Sequence, residues 1–370
     1  MRIEKRPIGG LTPGQSLDVT FLHFGREGAR PKAYIQAGLH ADEAPGQLAA
    51  VHLRRRLEVL EAGGRITGQI VLAPAANPIG LAQHLMGSLQ GRFALQDGAN
   101  FNRGYPDLIA AAAAIAESGL TADADENACR IRAAMLATLS AAEPKKPADR
   151  LKHMLLSQAI DADTILDLHC DGEAEVHLYT LTDQAEAFRP LAGYLNAKAI
   201  LVAEVSGENP FDEAVSRPWA ELRRRFPNQP IPEGAIAATV ELRGDSDVDH
   251  RTASADAEAI LKFLALRGLL SGKPEAEPPS CTPTPLAGSE ALEARSAGLI
   301  VFACPVGRYV EPGTLIAEIV DPVSGEVDPV HATTSGIFYA RTSVRFAVPG
   351  CRLGKIAGAT PFRSGDLLSP

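Results

Sequence analysis

The sequence predicts an α/β protein with a mixed, mainly parallel sheet flanked by helices, followed by a small all-β domain. Three observations carry that expectation. Up to about residue 270, short runs rich in β-branched and aromatic side chains alternate with stretches of helical periodicity, as strand–helix–strand units do around a sheet covered on both faces. Residues 271–286 then gather five prolines with almost no large apolar side chains, the composition of a semi-rigid linker. Beyond it, residues 287–370 carry short apolar runs punctuated by Gly and Pro, which is an all-β pattern. At 370 residues and 45% hydrophobic composition, the chain is long enough to bury two such cores.

Taken in order, residues 16–24 and 32–39 read as strands. A helix follows over about 46–61, with Leu48, Val51, Leu53, Leu57 and Leu60 as its apolar positions and Gly63 and Gly64 ending it. Residues 69–73 form the next strand, and the Asn77-Pro78 step forces an extended exit from the sheet. A long polar segment then reaches Asn100, Asn102 and Arg103, and a loop of that length points to function. Residues 107–160 turn Ala-rich and helical, with breaks at Gly119 and between Pro144 and Pro147, and read as an insertion of three helices. Strand patterns return at 164–169, 174–181, 199–205 and 235–243, with helices over 184–196, 211–226 and 254–270. Ligands in such folds gather at the carboxyl ends of the strands.

In the last part of the chain, apolar runs follow Gly298, Gly313 and Gly336. The pattern resembles the barrel-sandwich fold of biotinyl and lipoyl carrier domains. Attachment in those domains needs a hairpin lysine, and residues 299–354 contain none, so a carrier role is rejected.

Net charge and cysteine usage exclude several function classes. A net charge of -9 and a pI near 5.5 argue against nucleic acid or an anionic membrane as partner, since either needs a concentrated basic face. The arginine runs at 54–56 and 223–225 fall in helical patterns and read as solvated faces. Residues 1–10 have no apolar stretch of the kind a leader needs, nothing approaches a membrane span, and five irregularly spaced cysteines suit a reducing compartment. The expected location is the cytoplasm; a homo-oligomer is compatible with the sequence and not decided by it.

The chemistry concentrates at three strand ends. The run at 33–37 stops at Gly38, His40 follows in the turn, and Glu43 stands three residues later, just before the Pro45 that suits a helix's first turn. That spacing lets an imidazole nitrogen and a carboxylate share one ion, and with a third protein ligand a catalytic zinc keeps an open position. His169 ends the 164–169 strand and supplies the candidate third ligand. Glu241, near the end of the 235–243 strand, is placed to take a proton from water and return it to a leaving amine. Asp167, two residues before His169, shares its strand face and is a candidate to orient the imidazole. Each of these residues alone has a plain alternative, a hydrogen-bonded histidine or a surface salt bridge; the coincidence favours a site. Cys170 has no base pattern around it and is not read as a nucleophile. His177, alternating with apolar residues in the 174–181 strand, is a candidate substrate contact.

Together these stretches resemble the succinylglutamate desuccinylase/aspartoacylase family, whose catalytic fold is that of the zinc carboxypeptidases. The carriers are Gly-Leu-His-Ala-Asp-Glu at 38–43, Ala-Asn-Pro at 76–78, Asn-Phe-Asn-Arg at 100–103, Asp-Leu-His at 167–169 and Thr-Val-Glu at 239–241, all in the family's order. The resemblance implies one zinc ion per chain held by His40, Glu43 and His169, with Glu241 as the catalytic glutamate. It implies that Asn102 and Arg103 bind a substrate carboxylate. The family's carbonyl-polarising arginine lies upstream of that pair, where Arg92 is the nearest candidate. The implied activity is deacylation of small N-acyl amino acids, with a peptide-trimming metallocarboxypeptidase and a non-catalytic zinc- or ligand-binding protein as the alternatives. A C-terminal β-domain agrees with the acylase branch, where it closes over the cleft. In this division residues 1–270 form the catalytic domain, with the helical insertion at 107–160, and residues 287–370 the all-β domain.

Overall fold

Nine strands form the central sheet of the computed structural model, in the order Arg2–Pro7, Asp18–Gly25, Gln69–Ala73, Lys32–Ala37, Thr164–Asp171, Ile236–Gly244, His177–Leu181, Ala199–Ala203 and Pro283–Pro285. Five neighbouring pairs run parallel and three antiparallel, so the sheet is mixed and mainly parallel. The structure describes residues 1–10, 12–279 and 281–368. Leu11 in the expected catalytic domain, Ser280 in the expected linker, and Ser369 and Pro370 in the expected all-β domain lie outside the described residues.

The central strands are apolar throughout because both faces are covered. On one face lie the helices Ala44–Ala62, Ala185–Tyr194 and His250–Leu266, packing Leu53, Phe188 and Phe263 against Ile35, Leu166 and Val240. On the other lie Ile109–Glu117, Ala124–Ala141, Pro147–Ala159 and Phe211–Arg225, packing Ile131, Leu155 and Trp219 against Tyr34, Ile165 and Ala237. The residues read as a helical insertion therefore supply most of the second helical layer. Their Ala-rich faces fit close against the sheet, and Asp123 caps the longest of them by accepting from the Asp125 and Glu126 N–H groups.

Three elements differ from the sequence pattern. Arg2–Pro7 has no apolar periodicity, yet it pairs along its whole length with Asp18–Gly25, because an edge strand needs only backbone partners on one side. The expected strand at 174–181 is split into Glu173–Ala174 and His177–Leu181. The Pro-rich stretch ends in the edge strand Pro283–Pro285, a place where residues without N–H donors are tolerated.

From Ser289 onward the chain is antiparallel β. One sheet runs Ser289–Glu293, Arg352–Gly358, Gly336–Arg341, Tyr309–Val310; the other runs Val327–His331, Leu315–Val320, Gly298–Phe302, Phe346–Ala347. Ile300, Ile316, Ile319, Phe338, Leu353 and Ile356 fill the space between them. This region is tied to the central sheet just beyond His169: Glu173–Ala174 pairs with Gly336–Arg341, and Glu173 forms ion pairs with Arg341 and Arg345. Among the described residues no helix is long and apolar enough to cross a membrane.

Candidate metal centre

Strand periodicity sets the site. Ile165, packed toward the second helical layer, fixes the face on which Asp167 and His169 also point, and Ala237 does the same for Thr239 and Glu241. Parallel register then places Glu241 beside His169 and Thr239 beside Asp167. On the other flank, Gln36 pairs with Asp167. The polar residues therefore collect at the carboxyl end of three adjacent strands.

His40 reaches this point through a tight turn. Gly38 has φ +69°, and a Cβ there would meet the Gln47 side chain at 2.8 Å, so the strand exit requires glycine. Asn77 braces the turn from behind: its amide donates to the Leu39 carbonyl at 2.8 Å while its oxygen accepts from the Gly80 N–H at 2.8 Å. Glu43 occupies the N-cap of the Ala44–Ala62 helix without capping it through its side chain. Its carboxylate is committed elsewhere.

Those commitments are the two histidines. Nδ1 of His40 lies 2.8 Å from Glu43 Oε1, and Nδ1 of His169 lies 2.7 Å from Glu43 Oε2. His40, Glu43 and His169 are all buried, and one potential ligand atom from each falls within 4.8 Å of the others. On the far side of the first ring, Nε2 of His40 lies 2.9 Å from Asn100 Oδ1, which also accepts from the Asn102 backbone N–H at 2.8 Å. Asn100 therefore presents an oxygen, His40 donates from Nε2, and a lone pair is left on Nδ1. Burial lowers the pKa of His40 and favours that neutral ring. A nitrogen lone pair meeting a carboxylate oxygen at 2.8 Å is repulsive unless a cation takes both. The residues thus fit a metal ion, with two imidazoles and a carboxylate as its protein ligands.

His169 is held in the same manner. Its Nε2 lies 3.0 Å from Asp167 Oδ2, without the alignment of a full hydrogen bond. Asp167 in turn accepts from Gln36 at 3.0 Å, and Gln36 from the Tyr34 hydroxyl at 2.9 Å, a buried chain that fixes the carboxylate. Burial works against charge on His169, but Asp167 and Glu43 outweigh it and hold the pKa well above the ordinary value.

Around this group stand the remaining candidates. Arg92 places Nη1 3.4 Å from His40 Nδ1 and 3.5 Å from Glu43 Oε1 and lines the cleft. The Glu241 Oε2 atom is buried without a hydrogen-bond partner among the described residues, and burial together with Glu43 pushes its carboxyl up to about 8. Asn102 accepts from the Phe211 N–H at 2.9 Å, which anchors the loop to a helix start, and Arg103 donates to the Asn102 carbonyl at 2.7 Å. Both line the cleft with His40 and His169. His177 is placed differently from its sequence reading as a substrate contact. It is fully buried, its ring lies 4.7 Å from that of Tyr339, and it is not part of the cleft lining. The Cys170 thiol is buried and its pKa pushed up by burial and surrounding carboxylates, which suits the reading that it is no nucleophile.

The cleft has two chambers, of about 80 and 270 Å³, that share Arg92, Glu241, Arg352 and Lys355. Lys355 escaped the sequence reading. It comes from the C-terminal β region, pairs with Asp171 across 184 residues of sequence, and carries no local signal of that role. Asn100 did stand in a singled-out stretch, two residues before Asn102; only the structure shows it turned to His40.

Solved structures with the same architecture come from several bacteria. A protein named for the succinylglutamate desuccinylase/aspartoacylase family from Shewanella amazonensis SB2B superposes with a TM-score of 0.85 at 25% identity, over 96% of this chain and 98% of the other. One from Shewanella frigidimarina NCIMB 400 gives 0.85 at 27% identity, over 96% and 97%. The product-bound ectoine utilization protein EutE (DoeB) from Ruegeria pomeroyi shares the fold, with a TM-score of 0.65 at 18% identity over 96% and 94%. No curated protein matches the chain in sequence. The family model described as the succinylglutamate desuccinylase/aspartoacylase catalytic domain matches residues 29–267, which span the three strand ends, the ligand turn and Glu241. The chain belongs to the succinylglutamate desuccinylase/aspartoacylase family.

Proposed function

We propose that this protein is a zinc-dependent amidohydrolase that removes the acyl group from small N-acyl amino acids. The observation that carries the reading is the position of Glu241, a half-buried carboxylate whose Oε2 has no hydrogen-bond partner among the described residues, one strand from His169 and facing the same cleft as Arg92 and Arg103. A zinc ion held by His40, Glu43 and His169 supplies a Lewis acid and lowers the pKa of water. Glu241 accepts the proton of the attacking water and delivers it to the departing amine nitrogen. Arg92 donates to the carbonyl oxygen as negative charge develops there, a contribution of about 2.7–4 kcal/mol for a well-placed donor. Arg103 and Asn102 hold the substrate carboxylate, for which a planar guanidinium fork is suited.

The walls of the first chamber favour small substrates over peptides. Ser289, Tyr339, Lys355 and Leu367 from beyond residue 286 line it together with His40 and Glu241, so the C-terminal β region restricts the cleft. In this reading residues 1–270 are the catalytic domain, residues 271–286 connect it to the β-domain, and the enzyme works in the cytoplasm.

The test is amine release by zinc-loaded protein from N-acetyl, N-succinyl and N-formyl amino acids, beside free dipeptides and a Glu241→Ala control. Release from acyl amino acids that depends on Glu241 is expected. Release from dipeptides alone would move the protein to the carboxypeptidases, and metal binding without turnover would leave a binding protein.

A further inference from the structure

The first chamber contains two acids that the mechanism above does not use. Asp212 and Glu213 open the Phe211–Arg225 helix, and both line the cleft with Asn102 and Arg103. Acids are common in a first helical turn, where they stay solvated and face the exposed N–H groups. These two are 6% and 4% exposed. Glu213 Oε1 accepts the Ser206 N–H at 2.8 Å, but its Oε2 has no hydrogen-bond partner among the described residues, and neither has Asp212 Oδ1. Neither carboxylate has a Lys or Arg nitrogen within 4.0 Å among the described residues. Burying an unpaired carboxylate costs more than a helix dipole returns. A ligand group that completes the pairing removes that cost.

The charges around Arg103 decide what the group is. Arg103 attracts both acids, and its Nε lies 3.8 Å from Glu208. A substrate that brought only carboxylates to Arg103 would add negative charge among three acids. Of the other cations of the chamber, Lys355 pairs with Asp171, Arg92 with Glu43, and Arg363 donates to the carbonyls of Ser289 and Leu367, while Arg352 lines both chambers and forms no ion pair with Asp212 or Glu213 among the described residues. Burial, with the neighbouring carboxylates of Glu213 and Asp167, pushes the Asp212 carboxyl up to about 7, and burial raises that of Glu213 although Ser206, Arg217 and Arg103 work against it.

We propose that Asp212 and Glu213 form the side-chain subsite of the cleft and select an amino acid that carries an ammonium group on its side chain as well as its carboxylate. The proposal rests on the deacylase reading and departs from the dicarboxylic amino acids after which the family is named. The carboxylate lies on Arg103 and Asn102, the ammonium is taken by the two free carboxylate oxygens, and a ligand with one charge of each sign adds no net charge to the site. A neutral side chain would leave both oxygens unpaired, and an acidic one would be repelled.

The experiment compares Nα-acetyl and Nα-succinyl derivatives of diaminobutyrate, ornithine and lysine with those of norvaline, norleucine and glutamate, using full-length zinc-loaded protein. At least one ammonium-bearing substrate is expected to exceed its neutral counterpart at least tenfold in kcat/KM, mainly through KM. Glu213→Gln and Asp212→Asn should each erase that advantage, lowering kcat/KM at least tenfold on the ammonium-bearing substrate and by clearly less on the norvaline derivative. Preference for glutamate, or equal losses on charged and neutral substrates, would overturn the proposal. Calorimetric titration of the free amino acids separates it from the deacylase reading. Tighter binding of ornithine than norvaline, lost in Glu213→Gln, supports the subsite even if no acyl derivative is cleaved; equal binding of the two refutes it.

Discussion

Glu241 stands beside His169 on adjacent parallel strands, His169 in the candidate metal group and Glu241 with an oxygen in the cleft that has no hydrogen-bond partner among the described residues. The pairing places a candidate base within one strand spacing of a candidate ligand, while hydrogen bonding in the sheet holds both backbones. Replacing Glu241 with Gln keeps the shape and removes the proton acceptor. Glu241→Gln is expected to lower kcat by about 10²–10⁴ with the metal content unchanged. Elemental analysis beside steady-state kinetics checks both halves, and full activity would remove Glu241 from the mechanism.

His169→Ala takes away one of two imidazoles and leaves Glu43 facing His40 alone. Loss of stoichiometric zinc is expected, together with loss of activity and a lower melting temperature in the presence of zinc. Chelation of the wild type should reproduce both effects, and zinc should restore the wild type only. Zinc retained at one per chain by the variant would show that the ion sits elsewhere.

Asp167 acts through His169. Asp167→Asn preserves volume but weakens the hold on the imidazole, and a loss of about 10–100-fold in zinc affinity is expected. Competition with a fluorescent chelator measures it. Unchanged affinity would reduce Asp167 to a packing role.

Asp212 gives a pH signature. Its carboxyl rises from the ordinary 3.8 to about 7, so between those values the native state holds a proton that the unfolded chain has released. Its contribution to stability is fully present below about pH 4 and is lost as pH rises through about 7. The loss is at most about 4 kcal/mol, at about 1.4 kcal/mol per pH unit. Asp212→Asn is spared it, and urea unfolding should find the variant more stable than wild type at pH 8 and similar to it at pH 4. A constant difference across that range would contradict the assignment.

Lys355 tests how the C-terminal region is fastened. Lys355→Met leaves Asp171 without its partner; both side chains are 24% exposed, so the cost is expected near about 2 kcal/mol, below the range for fully buried pairs. Denaturant unfolding measures it. Lys355→Arg should recover part of the loss, and no change in the Met variant would make the ion pair dispensable.

The sequence by itself determined the local parts of this protein. A two-residue period puts Asp167 with His169 on one face of a strand, Gly38 marks the exit from another strand, and the Ala-rich helices announce their breaks at Gly119 and Pro144. These features follow from sterics between near neighbours, and for that reason they are legible in a single chain. The candidate ligands His40, Glu43 and His169 were legible because the first two stand in the turn after one strand and the third near the carboxyl end of another. Tertiary structure alone decided that Glu241 is His169's neighbour in the sheet and that residues 107–160 are a second helical layer. It also decided that Lys355 reaches Asp171, that His177 is buried against Tyr339 outside the cleft lining, and that Asp212 and Glu213 line it. Each of those relations joins segments far apart in sequence, and each is fixed by which buried faces can pack together and which strands can share hydrogen bonds. Local periodicity shows that a face must be buried; only the assembled sheet determines what lies against it.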